Sequence, residues 1–135
     1  MAQITGVVER LARAVNAHDL DAMAECFATD FVNETPLHPA RNFKGREQVR
    51  RNWGAIFEGV PDIRAEVLRS VADGHTAWVE WEMSGTRLGG GAHLMRGVTV
   101  FGGDGDEIQW TRFYLEPVEQ GGVGIEAAVQ QAVGR

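Results

Sequence analysis

The sequence predicts a single α+β domain, because helical periodicity fills its first half and strand periodicity its second. Apolar residues recur every three or four positions in the first sixty residues, and at every second position from Ile63 onward. The chain has 135 residues, which is the length of one domain. Helices followed by an antiparallel meander give an α+β layout, in which the helices pack on one face of a strongly curved sheet.

Three helices are predicted in the first half. The first carries a single apolar stripe with helical spacing, formed by Ile4, Val7, Val8, Leu11 and Val15. Asp19 is a suitable N-cap for a short second helix, whose apolar positions extend to Phe27. The third begins near Arg46 and is ended by Gly59 and Pro61. Segment 33–42 contains two prolines and polar turns, so it is predicted to be a loop.

Four strands are predicted in the second half, at residues 63–68, 77–83, 93–101 and 108–116. Asp73-Gly74 forms the first turn between them. We assign residues 1–118 to one domain and residues 119–135 to a glycine-rich linker with a short C-terminal helix or tail. The apolar stripe of this tail could dock on its own domain or on a partner subunit, and both alternatives stay open.

Composition excludes several classes of function. Thirteen basic and nineteen acidic residues give a net charge of −6, which argues against binding to nucleic acids or to anionic membranes. The single cysteine excludes an internal disulfide framework and a multi-cysteine zinc site. The four histidines lack metal-ligand spacing, so neither a metal nor a cofactor is expected. With neither a signal peptide nor a membrane-spanning run in the sequence, we expect a cytoplasmic protein.

The order of three segments, AHDLDAMAECFATDF, FKGREQVRRNW and RGVTVFGGDGDEIQWTRFYLEP, resembles the SnoaL-like branch of the nuclear-transport-factor-like superfamily. The resemblance covers residues 5–117. It implies a cone in which a curved antiparallel sheet wraps around a long helix, with a pocket at one end and often a homodimer through the sheet. Polyketide cyclases, ketosteroid isomerase, limonene epoxide hydrolase and binding proteins share this cone, so the resemblance implies a pocket without specifying a reaction.

An overlay on limonene epoxide hydrolase implies candidate site residues. Its catalytic arginine and two aspartates fall on Glu80, Glu82 and Phe113, and its water-positioning tyrosine and asparagine fall on Phe31 and Asn33. Because the arginine between two carboxylates is absent, epoxide opening by that machinery is not expected. Ketosteroid isomerase has its general base where this chain has Thr35, which cannot remove a proton from carbon at neutral pH.

Glu80 and Glu82 are two residues apart on a predicted strand, so their side chains share one face with Trp78. The overlay turns this face toward the pocket, where one carboxylate would act as general base or general acid. Asn33 would orient water or a carbonyl oxygen, and His93 or His38 would complete a proton relay. In the alternative, the glutamates lie on the solvent face and only keep the protein soluble.

Large apolar residues are expected to wall the pocket, namely Phe31, Trp53, Phe57, Trp78, Met95 and Phe113. Trp110 shares a strand face with Arg112, Tyr114 and Glu116, which favours a dimer interface if Phe113 faces inward. If the faces are inverted, Arg112, Tyr114 and Glu116 form the polar site instead.

Together these patterns predict a small-molecule pocket protein. The leading hypothesis is a cofactor-free acid-base enzyme of the cyclase, isomerase or hydrolase type, with an apolar carbonyl, polyketide or terpenoid-like substrate. The alternative is a non-catalytic ligand-binding protein or a dimeric interaction protein of the same fold. In each case the expected partners are a small apolar molecule and a second copy of the chain.

Overall fold

A computed structural model describes residues 3–134 and confirms the α+β fold. Within these residues, four α-helices and six strands follow one another. They are α1 (Ile4–Asn16), α2 (Leu20–Glu25), β1 (Phe27–Glu34), β2 (Phe43–Lys44), α3 (Arg46–Gly59), β3 (Arg64–Asp73), β4 (Thr76–Thr86), β5 (Ala92–Gly102), β6 (Ile108–Pro117) and α4 (Ile125–Ala132). Helices α1, α2 and α3 pack against the inner face of a curved six-stranded sheet.

The helices form where the sequence pattern predicts them. The whole apolar stripe of α1 is buried in the core. The Asp19 side chain accepts a hydrogen bond from the Ala22 N–H at 3.0 Å, which caps α2. Helix α2 ends at Glu25, however, so the expectation that Phe27 belongs to it is wrong. Phe27 instead begins β1.

The sheet has the order β2-β1-β6-β5-β4-β3. The meander from β3 to β6 is antiparallel as predicted, and Gly74, with φ +62°, occupies the turn between β3 and β4. Strands β1 and β2 were not predicted, because β1 follows a helix directly and its parallel partner β6 is about eighty residues away. The predicted loop at 33–42 is therefore shorter, since β1 continues to Glu34 and a 3-10 turn covers Pro39–Arg41.

Alternation along β4 defines the two faces of the sheet. Val79, Trp81 and Met83 are buried against the helices, whereas Trp78 is 42% exposed on the outer face. On β6 the inner face carries buried Thr111, and Trp110 is 37% exposed on the outer face. The inner face thus holds the core and any enclosed site, and the outer face is open in the single chain.

Helix α4 forms at the predicted tail stripe, but all of its residues are exposed. Ile125 and Val129 remain 78% and 48% accessible, so in the single chain the tail does not bury its apolar stripe. Within residues 3–134, no helix combines the length and the hydropathy that a bilayer crossing requires.

Candidate functional site

A cavity of about 260 Å³ lies between the three helices and the inner face of the sheet. Its wall is mostly apolar, and the large side chains in it include Phe31, Trp53, Trp81, Met83, Phe101 and Phe113. Aromatic contacts hold part of this wall in place, with the rings of Trp81 and Phe101 centred 6.2 Å apart in an edge-on arrangement. Such a lining favours a compact, largely apolar molecule.

One wall of the cavity carries a polar cluster formed by Asn33, Thr35 and Thr111, each of which is at least 94% buried. The Thr111 hydroxyl donates to Asn33 Oδ1 at 2.7 Å, and Asn33 Nδ2 donates to Thr35 Oγ1 at 3.0 Å. Strand pairing explains the first contact, because Asn33 on β1 lies directly opposite Thr111 on β6. The backbone N–H of Thr35 donates to Asn42 Oδ1 at 2.6 Å, which fixes the start of the following loop.

A second polar group lies at the rim of the cavity, where this loop meets the end of β6. His38 Nε2 is 2.6 Å from Glu116 Oε1, and Arg41 Nη1 is 3.9 Å from Glu116 Oε2. Backbone hydrogen bonds shape the loop: His38 N–H donates to the Thr35 carbonyl and Arg41 N–H to that of His38. Glu116 and Arg41 are the charged residues among those that line the cavity in the described part of the chain.

The paired His38 and Glu116 have the arrangement of a proton-transfer dyad. An Nε2–H of His38 can donate to the carboxylate, which fixes the ring and makes Nδ1 the acceptor nitrogen of the neutral imidazole. His38 is 40% exposed at its side chain and Glu116 33%, so both reach solvent, and of the two Glu116 lines the cavity. A group of this kind can exchange protons between solvent and a bound molecule.

The structure places four predicted site residues in the cavity wall: Phe31, Asn33, Trp53 and Phe113. His38 reaches the rim through Glu116, which belongs to the set that the sequence analysis proposed for inverted strand faces. The remaining predicted residues lie elsewhere.

The expectation that Glu80, Glu82 and Trp78 face the pocket is wrong. All three lie on the outer face of β4, because the other face of this strand carries the core residues. Glu80 Oε1 is 2.9 Å from Arg69 Nε, so its carboxylate is paired outside the cavity.

Phe57, Met95 and His93 also lie outside the cavity lining. Phe57 packs between Trp53 and His18, with ring centroids 5.7 and 5.3 Å away. Met95 packs partly buried against the core. His93 is half-buried at the start of β5, opposite Gly85 of β4. Burial lowers the pKa of His93 below its usual 6.5, and the positive charge of Arg87 acts in the same direction.

Arg112 and Tyr114 lie on the outer face of the sheet. This is where they are expected when Phe113 faces inward. Arg112 Nη1 is 3.2 Å from Glu34 Oε2, and its Nε donates to the Tyr114 hydroxyl at 3.5 Å. The hydrogen bond with Tyr114 raises the pKa of the already basic guanidinium. Both side chains are thus used in contacts outside the cavity.

Trp81 and Met83 line the cavity although they were not expected there. For Trp81 and Met83 a signal existed, because the alternating face that is more apolar is normally the buried one. The overlay on a distant relative outweighed that signal.

Within residues 3–134, no group of three or more histidine, cysteine, aspartate or glutamate side chains is placed to hold a metal ion. Cys26 directly follows α2 and is buried in the core, where its thiol donates to the Ala22 carbonyl at 3.4 Å, and burial raises the pKa of this thiol. That environment disfavours a thiolate nucleophile.

Comparison with known proteins agrees with this architecture. A model of the SnoaL-like domain family matches residues 8–112. The Aspergillus niger protein named "Probable cyclase otaY" is 30% identical over 76% of this chain and 97% of its own length. A proposed polyketide cyclase from Sinorhizobium meliloti is 26% identical and covers 82% of this chain and 94% of its own, with a TM-score of 0.64. A ketosteroid-isomerase-like protein from Catenulispora acidiphila, 20% identical, superposes with a TM-score of 0.66 over 80% of this chain and 84% of its own.

Proposed function

The chain belongs to the SnoaL-like domain family, and we propose that it is a proton-transfer enzyme of the cyclase or isomerase type. Its substrate would be a compact, apolar molecule that carries a carbonyl group. The observation that carries this proposal is the contact of 2.6 Å between His38 and Glu116, because Glu116 lines an apolar cavity and holds His38 next to it. The name of the fungal relative, a probable cyclase, is consistent with it.

The roles follow from the positions of the groups. A substrate in the cavity would bring the carbon next to its carbonyl group toward the rim, where His38 removes or returns a proton. Glu116 holds the imidazole in position through the contact of 2.6 Å between its Oε1 and His38 Nε2. Arg41 balances the charge of Glu116 while His38 is neutral. The apolar wall keeps water away from the enolate that forms after proton loss.

Deuterium exchange tests this proposal without knowledge of the natural substrate. In D₂O, the protein should accelerate exchange of the protons next to the carbonyl of 1-tetralone, a flat ketone that is small enough for the cavity, as followed by proton NMR. We expect His38→Gln and Glu116→Gln each to slow this exchange by about 100-fold, the usual contribution of a positioned acid or base. The matched control is Glu82→Gln, which removes a carboxylate from the outer face.

Two results would contradict the proposal. One is full exchange activity in His38→Gln, and the other is no acceleration by the wild-type protein although the ketone binds. The second result would favour the alternative of a ligand-binding protein without catalysis. Urea unfolding of each variant separates loss of chemistry from loss of fold, because both rim residues are partly exposed and their replacement should cost little stability.

We also propose a second copy of the chain as the partner of the outer sheet face. Val71, Trp78 and Trp110 are 63%, 42% and 37% exposed there, and aromatic residues are enriched in protein interfaces. A shallow groove between β3, β4 and β5 follows Val71 and Trp78. The same face carries charged pairs of both signs, so two copies can meet without a large excess of like charge.

A further inference from the structure

We propose that Asn33, Thr35 and Thr111 form a subsite for the ligand's carbonyl oxygen, in which a threonine hydroxyl donates a proton that the protein itself does not use. The inference rests on the proposed function in one respect, since it takes the cavity as the place where the ligand binds. It goes further by identifying the chemical group of the ligand that the polar cluster binds and the residues that select it.

The hydrogen-bond inventory of the cluster carries the inference. Thr111 uses its only hydroxyl proton on Asn33 Oδ1, and Asn33 uses one of two amide protons on Thr35 Oγ1. Thr35 therefore accepts within the cluster, and its own hydroxyl proton has no acceptor among residues 3–134. Its 5% exposure, on the cavity wall, makes the cavity the place where this proton can find one.

The number of unused protons in the cluster does not depend on the orientation of the Asn33 amide. If the amide were rotated by half a turn, Thr35 would donate to Oδ1, and Thr111 would accept from Nδ2 and keep its proton. In both orientations the two contacts use one hydroxyl proton and one amide proton. One hydroxyl proton and one amide proton always remain, so in both orientations this cluster of cavity-lining residues has two protons left to donate.

The chemistry of the ligand follows from these two unused protons. A buried donor without an acceptor is costly, and an oxygen with two lone pairs and no proton of its own satisfies two donors at once. A ketone, ester or lactone carbonyl has this property. Thr99, 4% exposed on the same wall, adds a further hydroxyl, and the cluster contains no cationic residue that would favour a carboxylate.

The test compares 1-tetralone with tetralin, the hydrocarbon of the same ring skeleton, by titration calorimetry on the full chain. Thr35→Val replaces the hydroxyl by a methyl group of similar size and should weaken 1-tetralone binding about tenfold, the effect expected for one lost hydrogen bond. It should leave tetralin binding within about twofold. Thr35→Ser should restore ketone binding, and Thr76→Val on β4, outside the cavity, should change neither ligand.

Infrared spectroscopy gives a readout that a structural role of Thr35 would not change. With 1-tetralone labelled with ¹³C at the carbonyl, a hydrogen-bonded carbonyl stretches at lower frequency than a free one. We expect the bound ketone to show the lowered frequency in the wild-type protein and in Thr35→Ser, and a rise toward the free value in Thr35→Val. Urea unfolding reports separately any loss of stability from the unpaired Asn33 amide.

Each outcome supports or overturns the inference. It is overturned if Thr35→Val weakens both ligands equally, if the carbonyl frequency is the same in wild type and variant, or if neither ligand binds. It stands if the ketone-specific loss and the frequency shift occur together, even when deuterium exchange is absent. In that last case the proposed proton transfer fails while the carbonyl subsite remains, so the two failures are distinguishable.

Discussion

Glu82 and Arg96 face each other across β4 and β5, with Glu82 Oε2 3.1 Å from Arg96 Nε on the outer face of the sheet. Glu80 makes the corresponding contact with Arg69 of β3. The two carboxylates that the sequence suggested for catalysis are thus paired with neighbouring strands on the face away from the cavity.

We predict that Glu80→Gln, Glu82→Gln and the double variant keep deuterium exchange and 1-tetralone binding within about twofold of wild type. The free energy of unfolding should fall by at most about 1 kcal/mol for each pair, because partly exposed ion pairs contribute little. NMR exchange rates and urea unfolding measure both quantities. Loss of deuterium exchange in the double variant would contradict this prediction, because it would show that these carboxylates take part in catalysis.

Much of the fold could be predicted because its signals are local. The stripe of α1, the Asp19 cap and the stop at Gly59 are each visible within a few residues of sequence. Strand β1 has no such local signal. Its register with β6 shifts between Phe27 and Val32, so it lacks a regular alternation and is defined by pairing with a strand far along the chain.

The site could be predicted only in part for the same reason. Asn33 was predicted through a family resemblance. The polar cluster to which it belongs also requires Thr111, which lies 78 residues away in the sequence. The His38–Glu116 contact likewise joins a loop to the end of the last strand. Contacts between residues so far apart in the sequence depend on the topology of the sheet. The spacing of residues along the chain does not reveal this topology.

Tryptophan fluorescence should report ligand binding from inside the cavity. Trp53 and Trp81 line it, whereas Trp78 and Trp110 lie on the outer face. We predict that 1-tetralone quenches the emission, that Trp78→Phe with Trp110→Phe keeps the absolute quenched amplitude, and that Trp53→Phe reduces it. A fluorescence titration measures this. If the amplitude disappears in the outer-face double variant, the ligand binds on the other side of the sheet.

The outer face should hold a second copy of the chain in solution. We predict a dimer by sedimentation velocity, and a shift to monomer in Trp78→Asp, because a charge placed in an apolar contact is strongly unfavourable. Leu88→Asp is the control, since Leu88 is 76% exposed in the loop after β4. A monomeric wild type, or equal dimerisation of both variants, would contradict the proposed interface.

His93 should make the protein less stable at mildly acidic pH. Its pKa in the folded chain lies below the usual 6.5, because burial and Arg87 both disfavour the imidazolium. Below about pH 6.5 the unfolded chain binds a proton at this position before the folded chain does, so the free energy of unfolding falls as the pH is lowered. The loss of stability ends once the pH is below the pKa of the folded chain. Above pH 6.5 the imidazole is neutral in both states, so the effect is absent.

Urea unfolding from pH 8 to pH 5 should therefore show a smaller decline in the free energy of unfolding for His93→Gln than for wild type. The control is His75→Gln, in the exposed turn after β3. Identical pH profiles for His93→Gln and wild type would show that the buried imidazole is not the cause.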